Sequence, residues 1–267
     1  MSVLDLHASV IPFSSGSRPS VRRPRPPMRT PIDPPRAIRP PAPPQPEDEF
    51  EPRRRSEWAS RLFNLLVAVI LLVVASPLML VTALLIRLTS RGPVLYTQQR
   101  VGLDRRWHRT RALHERRRQD LGGSPFTIFK FRSMRIDAER DGRAVWASRN
   151  DDRVTAIGRF IRRTRIDELP QLFNVLRGDM NVVGPRPERP SIFVRLREEI
   201  PEYPVRQRVK PGITGLAQVC NSYDETVDDV RKKVAFDKLY MSRQSLVEDM
   251  WILIRTVPVV LLKQTGW

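Results

Sequence analysis

Apolar positions in this chain fall into four patterns, and each predicts a different element. The longest is Leu62 to Ile86, an uncharged run broken only by Asn64, Ser76, Pro77 and Thr82. At ~1.5 Å per helical residue it would extend about 37 Å, enough to cross a bilayer once. Ser76-Pro77 falls near its centre, where proline removes a hydrogen bond and bends the helix. Basic residues flank both ends: Arg53, Arg54, Arg55 and Arg61 before it, Arg87 and Arg91 after it. A straight crossing would carry one cluster through the membrane, against the positive-inside bias. A proline-kinked span, an uncleaved signal anchor and a helix–break–helix that enters and leaves by one face all fit these residues.

The second pattern is the alternation of Ile128, Phe129, Lys130, Phe131 and Arg132, which predicts a strand around Thr127 to Phe131. Its pleat would turn one face to the core and the other to a site. The third is Leu169, Leu172, Phe173 and Leu176, the stripe of a short amphipathic helix after Asp167. Thr164 and Asp167 have capping-box spacing for its start, and Pro170 is tolerable in a first turn. The fourth is Trp251 to Leu262, apolar but broken by Arg255 and Pro258 and too short to span a bilayer. It reads as an amphipathic helix lying at a membrane interface, with a core helix as the alternative. Together these elements predict a mixed α/β chain, mostly helical, with one small strand element.

Composition sharpens this picture at the N-terminus. Residues 1–57 hold over half of the 25 prolines, mixed with arginine and serine, and are predicted to be a disordered cytoplasmic tail. The net charge of +18 calls for an anionic partner. Nucleic acid is set aside, because no base-reading motif is present and the aromatics do not interleave with the basic runs. Anionic lipid head groups and phosphorylated substrates are the partners left. The single cysteine, Cys220, excludes an internal disulfide framework, and His108 and His114 lie in a predominantly basic stretch that does not suggest a histidine metal site.

The most informative stretch is Arg162 to Pro187, RRTRIDELPQLFNVLRGDMNVVGPRP. It places the adjacent carboxylates Asp167 and Glu168 at the mouth of the predicted helix, with arginines on both sides. Alone, such a pair reads as a helix cap plus a solvated charge. Ringed by guanidinium groups, a nucleophilic carboxylate beside a metal-binding one also suits phosphoryl transfer.

Five ordered blocks decide between these. They are GPVLYTQQRVG (Gly92 to Gly102), PFTIFKFRSM (Pro125 to Met134), RIDELPQLFNVLRGDM, VGPRPERP and KPGITGLAQV (Lys210 to Val219). The chain from about residue 58 to 267 resembles the bacterial sugar transferases that load a hexose 1-phosphate onto a polyprenyl phosphate, the monotopic phosphoglycosyl transferases. The resemblance implies a re-entrant membrane helix over residues 58–90 with its break at Ser76-Pro77. A catalytic domain over 91–267 would then lie on the cytoplasmic face of a bacterial inner membrane. It implies Asp167 as nucleophile towards a UDP-hexose, release of UMP, and a covalent aspartyl phosphosugar that undecaprenyl phosphate collects. It implies Glu168 as a magnesium ligand and Lys130, Arg132, Arg162 and Arg186 as phosphate-binding residues. Arg163 and Arg165 read as solvated. The reaction would open a repeat unit of exopolysaccharide, O-antigen or another glycan.

Larger relatives carry further membrane helices and a soluble domain, which residues 1–57 do not resemble. The basic insertion 103–124 departs from the family pattern and reads either as a helix on lipid head groups or as a solvated excursion. A homo-oligomer is compatible with the sequence. The rival to an enzyme is a catalytically silent membrane-anchored scaffold of a polysaccharide assembly complex.

Overall fold

The computed structural model describes residues 50–105, 122–138, 151–220 and 226–262. The tail up to residue 49 and the greater part of the insertion, 106–121, lie outside them, so the expectations for both stay as stated.

The long apolar run forms α1, Glu57–Thr89, started by Ser56, whose hydroxyl accepts from the Ala59 N–H. Among the described residues it is the one helix long and apolar enough to cross a membrane, and only 11% of its apolar window is buried. A core helix of a soluble domain would hide far more. The helix continues through Pro77 rather than stopping there. Proline cannot donate to the carbonyl four residues back, and the Ser76 hydroxyl donates to that Val73 carbonyl instead, at 2.8 Å. The expected break is thus a proline inside a continuous helix, with the freed acceptor supplied locally.

Both halves of α1 pack on the same body. Val67, Ala68 and Leu72 join Ile128, Leu172, Val175, Met180 and Val182. Met79, Ala83 and Ile86 join Phe131, Ile161 and Ile166, and Leu169 touches both clusters. Val73, Val74 and Leu80, in the middle of α1, are 68%, 73% and 73% exposed.

Two arginines fasten its ends. Arg61 donates to the Val175 and Leu176 carbonyls, both at 2.6 Å. Arg132 donates to the Ser90 and Arg91 carbonyls at 2.9 and 2.8 Å. Asn64, the polar interruption near the start, is buried because its Oδ1 accepts from the Val182 N–H at 2.6 Å.

The predicted strand is found, and it has a partner. Strand β1 (Leu95–Val101) pairs antiparallel with β2 (Pro125–Phe131), in register from Leu95 opposite Phe131 to Val101 opposite Pro125. Next come α2 (Ala156–Arg163), a 3₁₀ turn at Ile166–Glu168, and α3 (Gln171–Arg177). Strand β3 (Asn181–Val183) follows and pairs in parallel with β4 (Gly212–Thr214). Between these strands lie α4 (Pro190–Glu199) and a 3₁₀ segment, Tyr203–Arg208. The chain continues through α5 (Leu216–Cys220) and α6 (Val227–Arg243) to α7 (Leu246–Leu262). The elements are mostly helical, as the fold class anticipated, and the parallel pair β3–β4 is a second strand element beyond the one expected.

The start of the predicted helix needs correcting. Thr164 caps no N-terminus; it closes α2, its hydroxyl donating to the Phe160 carbonyl at 2.9 Å. Arg165 then turns left-handed, with φ 60, and the chain makes one 3₁₀ turn before α3 begins after Pro170. A left-handed residue that is not glycine is uncommon, and sequence spacing gives no sign of it. Phe173 also leaves the predicted stripe: it is 43% exposed, on a helix that packs mainly against α1 and β2. On α7 the exposed apolar residues Val247, Met250, Ile254 and Val257 recur at helical spacing, while Ile252 is fully buried. Within the anticipated interfacial segment 251–262, Ile254 and Val257 are exposed and Ile252 is buried, so the helix shows apolar residues on both its inner and its outer side.

Candidate active site

The left-handed turn at Arg165 aims the next residues inward: Asp167 and Glu168 are each only 8% exposed. Strand β2 supplies Lys130, and the loop after β3 supplies Arg186. Glu168 takes both. Its Oε1 accepts from Lys130 Nζ at 3.1 Å and from Arg186 Nη2 at 2.5 Å, while its Oε2 accepts from Arg186 Nη1 at 3.0 Å. The Arg186 contact is the two-pronged guanidinium–carboxylate fork.

Asp167 is in a different state. Among the described residues its carboxylate meets no donor within hydrogen-bond reach. Burial pushes its pKa up to about 6, with Lys130 opposing and Glu168 adding to the rise. Burial also works to raise Glu168, but Arg186 and Lys130 overcome it and hold that carboxyl well below its usual range. Neighbouring acids of the same buried turn are thereby driven apart: one is locked as an anion, the other exchanges its proton near pH 6. The Lys130 ammonium is itself lowered by burial, with Glu168 opposing.

The remaining expected residues divide. Arg162 lies close enough to Asp167 to lower its pKa, and its Nη1 is buried without an acceptor among the described residues. Arg132 does not join the group, because its guanidinium is held by Ser90 and Arg91 at the end of α1. The alternation along β2 fixed which side of the pleat Arg132 takes. It could not say that a helix end would be waiting there.

Two residues escaped sequence reasoning. Arg100 lies in the GPVLYTQQRVG block and donates to the Pro187 carbonyl and to Glu188. Arg206 is fully buried and donates to the Arg186 carbonyl. Nothing in local spacing separates either one from the many solvated arginines. The KPGITGLAQV block proves to be mainly structural. Gly212 forms β4, and a Cβ there would sit 2.1 Å from the Gly184 nitrogen.

Magnesium calls for oxygen ligands, often one or two carboxylates plus substrate phosphates. Both oxygens of Glu168 are occupied by cations here, and no cluster of three ligating side chains occurs among the described residues. As arranged, these residues do not fit an ion held by Glu168, since a dication would have to displace Arg186 from it.

Over 204 residues the chain is 43% identical to the UDP-N-acetylgalactosamine-undecaprenyl-phosphate N-acetylgalactosaminephosphotransferase of Aeromonas hydrophila, covering 76% of this chain and 44% of that protein. It is 44% identical over 213 residues to the undecaprenyl-phosphate glucose phosphotransferase of Komagataeibacter xylinus, covering 77% and 37%. With the UDP-glucose:undecaprenyl-phosphate glucose-1-phosphate transferase of Caulobacter vibrioides the figures are 42% over 219 residues, 81% and 74%. The chain thus spans less than half the length of the first two. The family profile for bacterial sugar transferases matches residues 55–263, which takes in α1, the carboxylate pair and α7. The chain belongs to the bacterial sugar transferase family.

Proposed function

We propose that this protein transfers a hexose 1-phosphate from a UDP-hexose to undecaprenyl phosphate, releasing UMP, through two displacements on Asp167. The observation that carries the reading is the split between neighbouring carboxylates: Glu168 is hydrogen-bonded to two cations, whereas among the described residues Asp167 has no hydrogen-bond donor and feels its cations only at a distance. In the first displacement an Asp167 oxygen attacks the sugar-proximal phosphorus, an acyl-phosphate bond forms, and the bond to the UMP oxygen breaks. In the second, an oxygen of undecaprenyl phosphate attacks the same phosphorus and the aspartyl bond breaks, returning the carboxylate. Lys130, Arg186 and Arg162 would take up the charge that gathers on the phosphoryl oxygens, a role suited to fixed cations in a site shielded from water.

The names of the relatives support both substrates. They do not favour one sugar, since an N-acetylgalactosamine enzyme and a glucose enzyme stand at 43% and 44% identity. Magnesium enters this proposal only as an ion arriving on the donor's diphosphate, and no step is routed through it.

Membrane seating belongs to the same proposal. The two arginine-fastened ends of α1, its exposed middle and the apolar outer face of α7 support a helix that dips into one leaflet and returns. The site would then sit at the cytoplasmic surface, where the acceptor's phosphate lies.

Membranes containing the protein, incubated with UDP-hexoses, undecaprenyl phosphate and magnesium, should release UMP, and Asp167→Asn should abolish release. Unchanged release in that variant would remove Asp167 as nucleophile. Reporters fused before residue 55 and after residue 91 should report one compartment; opposite compartments would replace the dip with a full crossing.

A further inference from the structure

Three consecutive carbonyls of the Arg186-Pro187-Glu188 loop are each held by a different donor. Arg206 Nη2 donates to the Arg186 carbonyl at 2.9 Å and Arg100 Nη1 to the Pro187 carbonyl at 3.1 Å. The Val101 N–H donates to the Glu188 carbonyl at 2.8 Å. Pro185 and Pro187 have no N–H and a fixed φ, so this loop is stiff and is anchored mainly through its carbonyls.

Both arginines are secured in turn. Arg206 Nε donates to Asp237 Oδ2 and Nη1 to the Tyr203 hydroxyl, each at 2.6 Å. The Arg206–Asp237 side chains are 0% and 2% exposed. Arg100 donates to Glu188 Oε1 at 3.3 Å, and the pair is 17% and 18% exposed. Buried ion pairs add little stability over apolar side chains of the same volume, because desolvation offsets their attraction. What a guanidinium does supply is a rigid, planar set of N–H directions. Here one N–H of each fork is spent on a backbone carbonyl, one in the peptide before Pro187 and one in the peptide after it, and Arg186 is the residue that forks onto Glu168.

We propose that Arg100 and Arg206 are positioning residues for Arg186. They form a two-sided brace that fixes the loop backbone, so that the Arg186 guanidinium faces the transferring phosphoryl group without searching for its place. The brace rests on the reading of Asp167 as nucleophile. Misplacing a catalytic group by about an ångström can cost about 100-fold in rate. Loosening Arg186 also withdraws positive charge from Asp167, which lets burial raise that carboxyl further.

The test uses the full chain in lipid nanodiscs with UDP-hexose, following single-turnover UMP release. Arg100→Leu and Arg206→Lys should each slow the step by about 10- to 100-fold at saturating donor, with donor affinity changed less than about threefold. Arg100→Lys, which keeps a cation able to reach the same carbonyl, should recover most of the rate. If Arg206→Lys does not fold, the Arg100 pair decides alone. Wild-type rates in folded Arg100→Leu would overturn the brace, as would rate losses matched by equal losses of donor affinity or left unrescued by Arg100→Lys. Asp167→Asn runs alongside: turnover in that variant would remove the premise, whereas a dead Asp167→Asn with a normal Arg100→Leu would sink the brace alone.

Discussion

Two arginine–carboxylate pairs stand on either side of the same loop, and their difference separates holding from working. Arg206 spends its guanidinium on Asp237, Tyr203 and a carbonyl, and its side chain is 0% exposed. Arg186 gives both prongs to Glu168 alone and is 29% exposed. The first has three unlike partners fixed by three elements, so nothing short of unfolding frees it. The second has one partner and an open side, so an incoming phosphate can compete for the same fork. Similar short contacts therefore describe a brace in one place and an exchangeable clamp in the other.

The largest effect expected is on chemistry at the neighbouring carboxylate. Asp167→Asn should lower UMP release by about 1,000-fold or more, in line with removal of a covalent nucleophile. Glu168→Gln should cost less, about 100-fold, because Arg186 and Lys130 lose their common anchor but remain in place. A Glu168→Gln enzyme with unchanged kcat would show that the clamp has no part in turnover.

Stability should rank the two pairs in the opposite order. Arg206→Met leaves Asp237 charged and buried, which costs about 3–5 kcal/mol in comparable buried pairs. Arg186→Met should lower the melting point far less while harming catalysis more. Equal melting points for the two variants in chemical or thermal denaturation would erase the distinction drawn between them.

A smaller effect runs against intuition. Asp167 has its pKa raised by burial to about 6 in the folded protein, above the unfolded value. Its contribution is therefore a cost that is absent below about pH 4, grows as pH rises through 4 to 6, and is complete above that. Asp167→Asn removes the cost and should stabilise the protein at pH 7.5 by about 1–3 kcal/mol, with almost no gain at pH 4. Glu168 behaves with opposite sign, its depressed pKa contributing stability above the ordinary carboxylate range that fades as pH falls. Denaturant melts of wild type and Asp167→Asn at the two pH values check this. A variant less stable at pH 7.5 would mean that Asp167 is not strained by its surroundings.

Much of this was legible in the residues because the signals were local or carried by ordered motifs. The apolar run gave α1, the alternation gave β2, and the five blocks placed Asp167, Glu168, Lys130 and Arg186 together. What stayed hidden depends on distant partners. Asn64 reads as a flaw in an apolar helix until Val182, far along the chain, is seen donating to it. Arg132 and Lys130 share one face of a strand, and only the packed helix end shows why their fates differ. Thr164 met the spacing of a cap, but the left-handed Arg165 ended one helix before the next began. Arg206 is one of many arginines in the sequence, and only its burial sets it apart.

Leu169 comes directly after Glu168 in the chain and packs against both hydrophobic clusters to which α1 contributes. The turn that carries the carboxylate pair is thus wedged among clusters built on the long apolar helix, with no flexible tether between them. On the proposed seating its altitude above the acyl chains would be a constant of the fold, and a lipid-bound acceptor diffusing in the plane of the leaflet would need to search in only two dimensions to reach it.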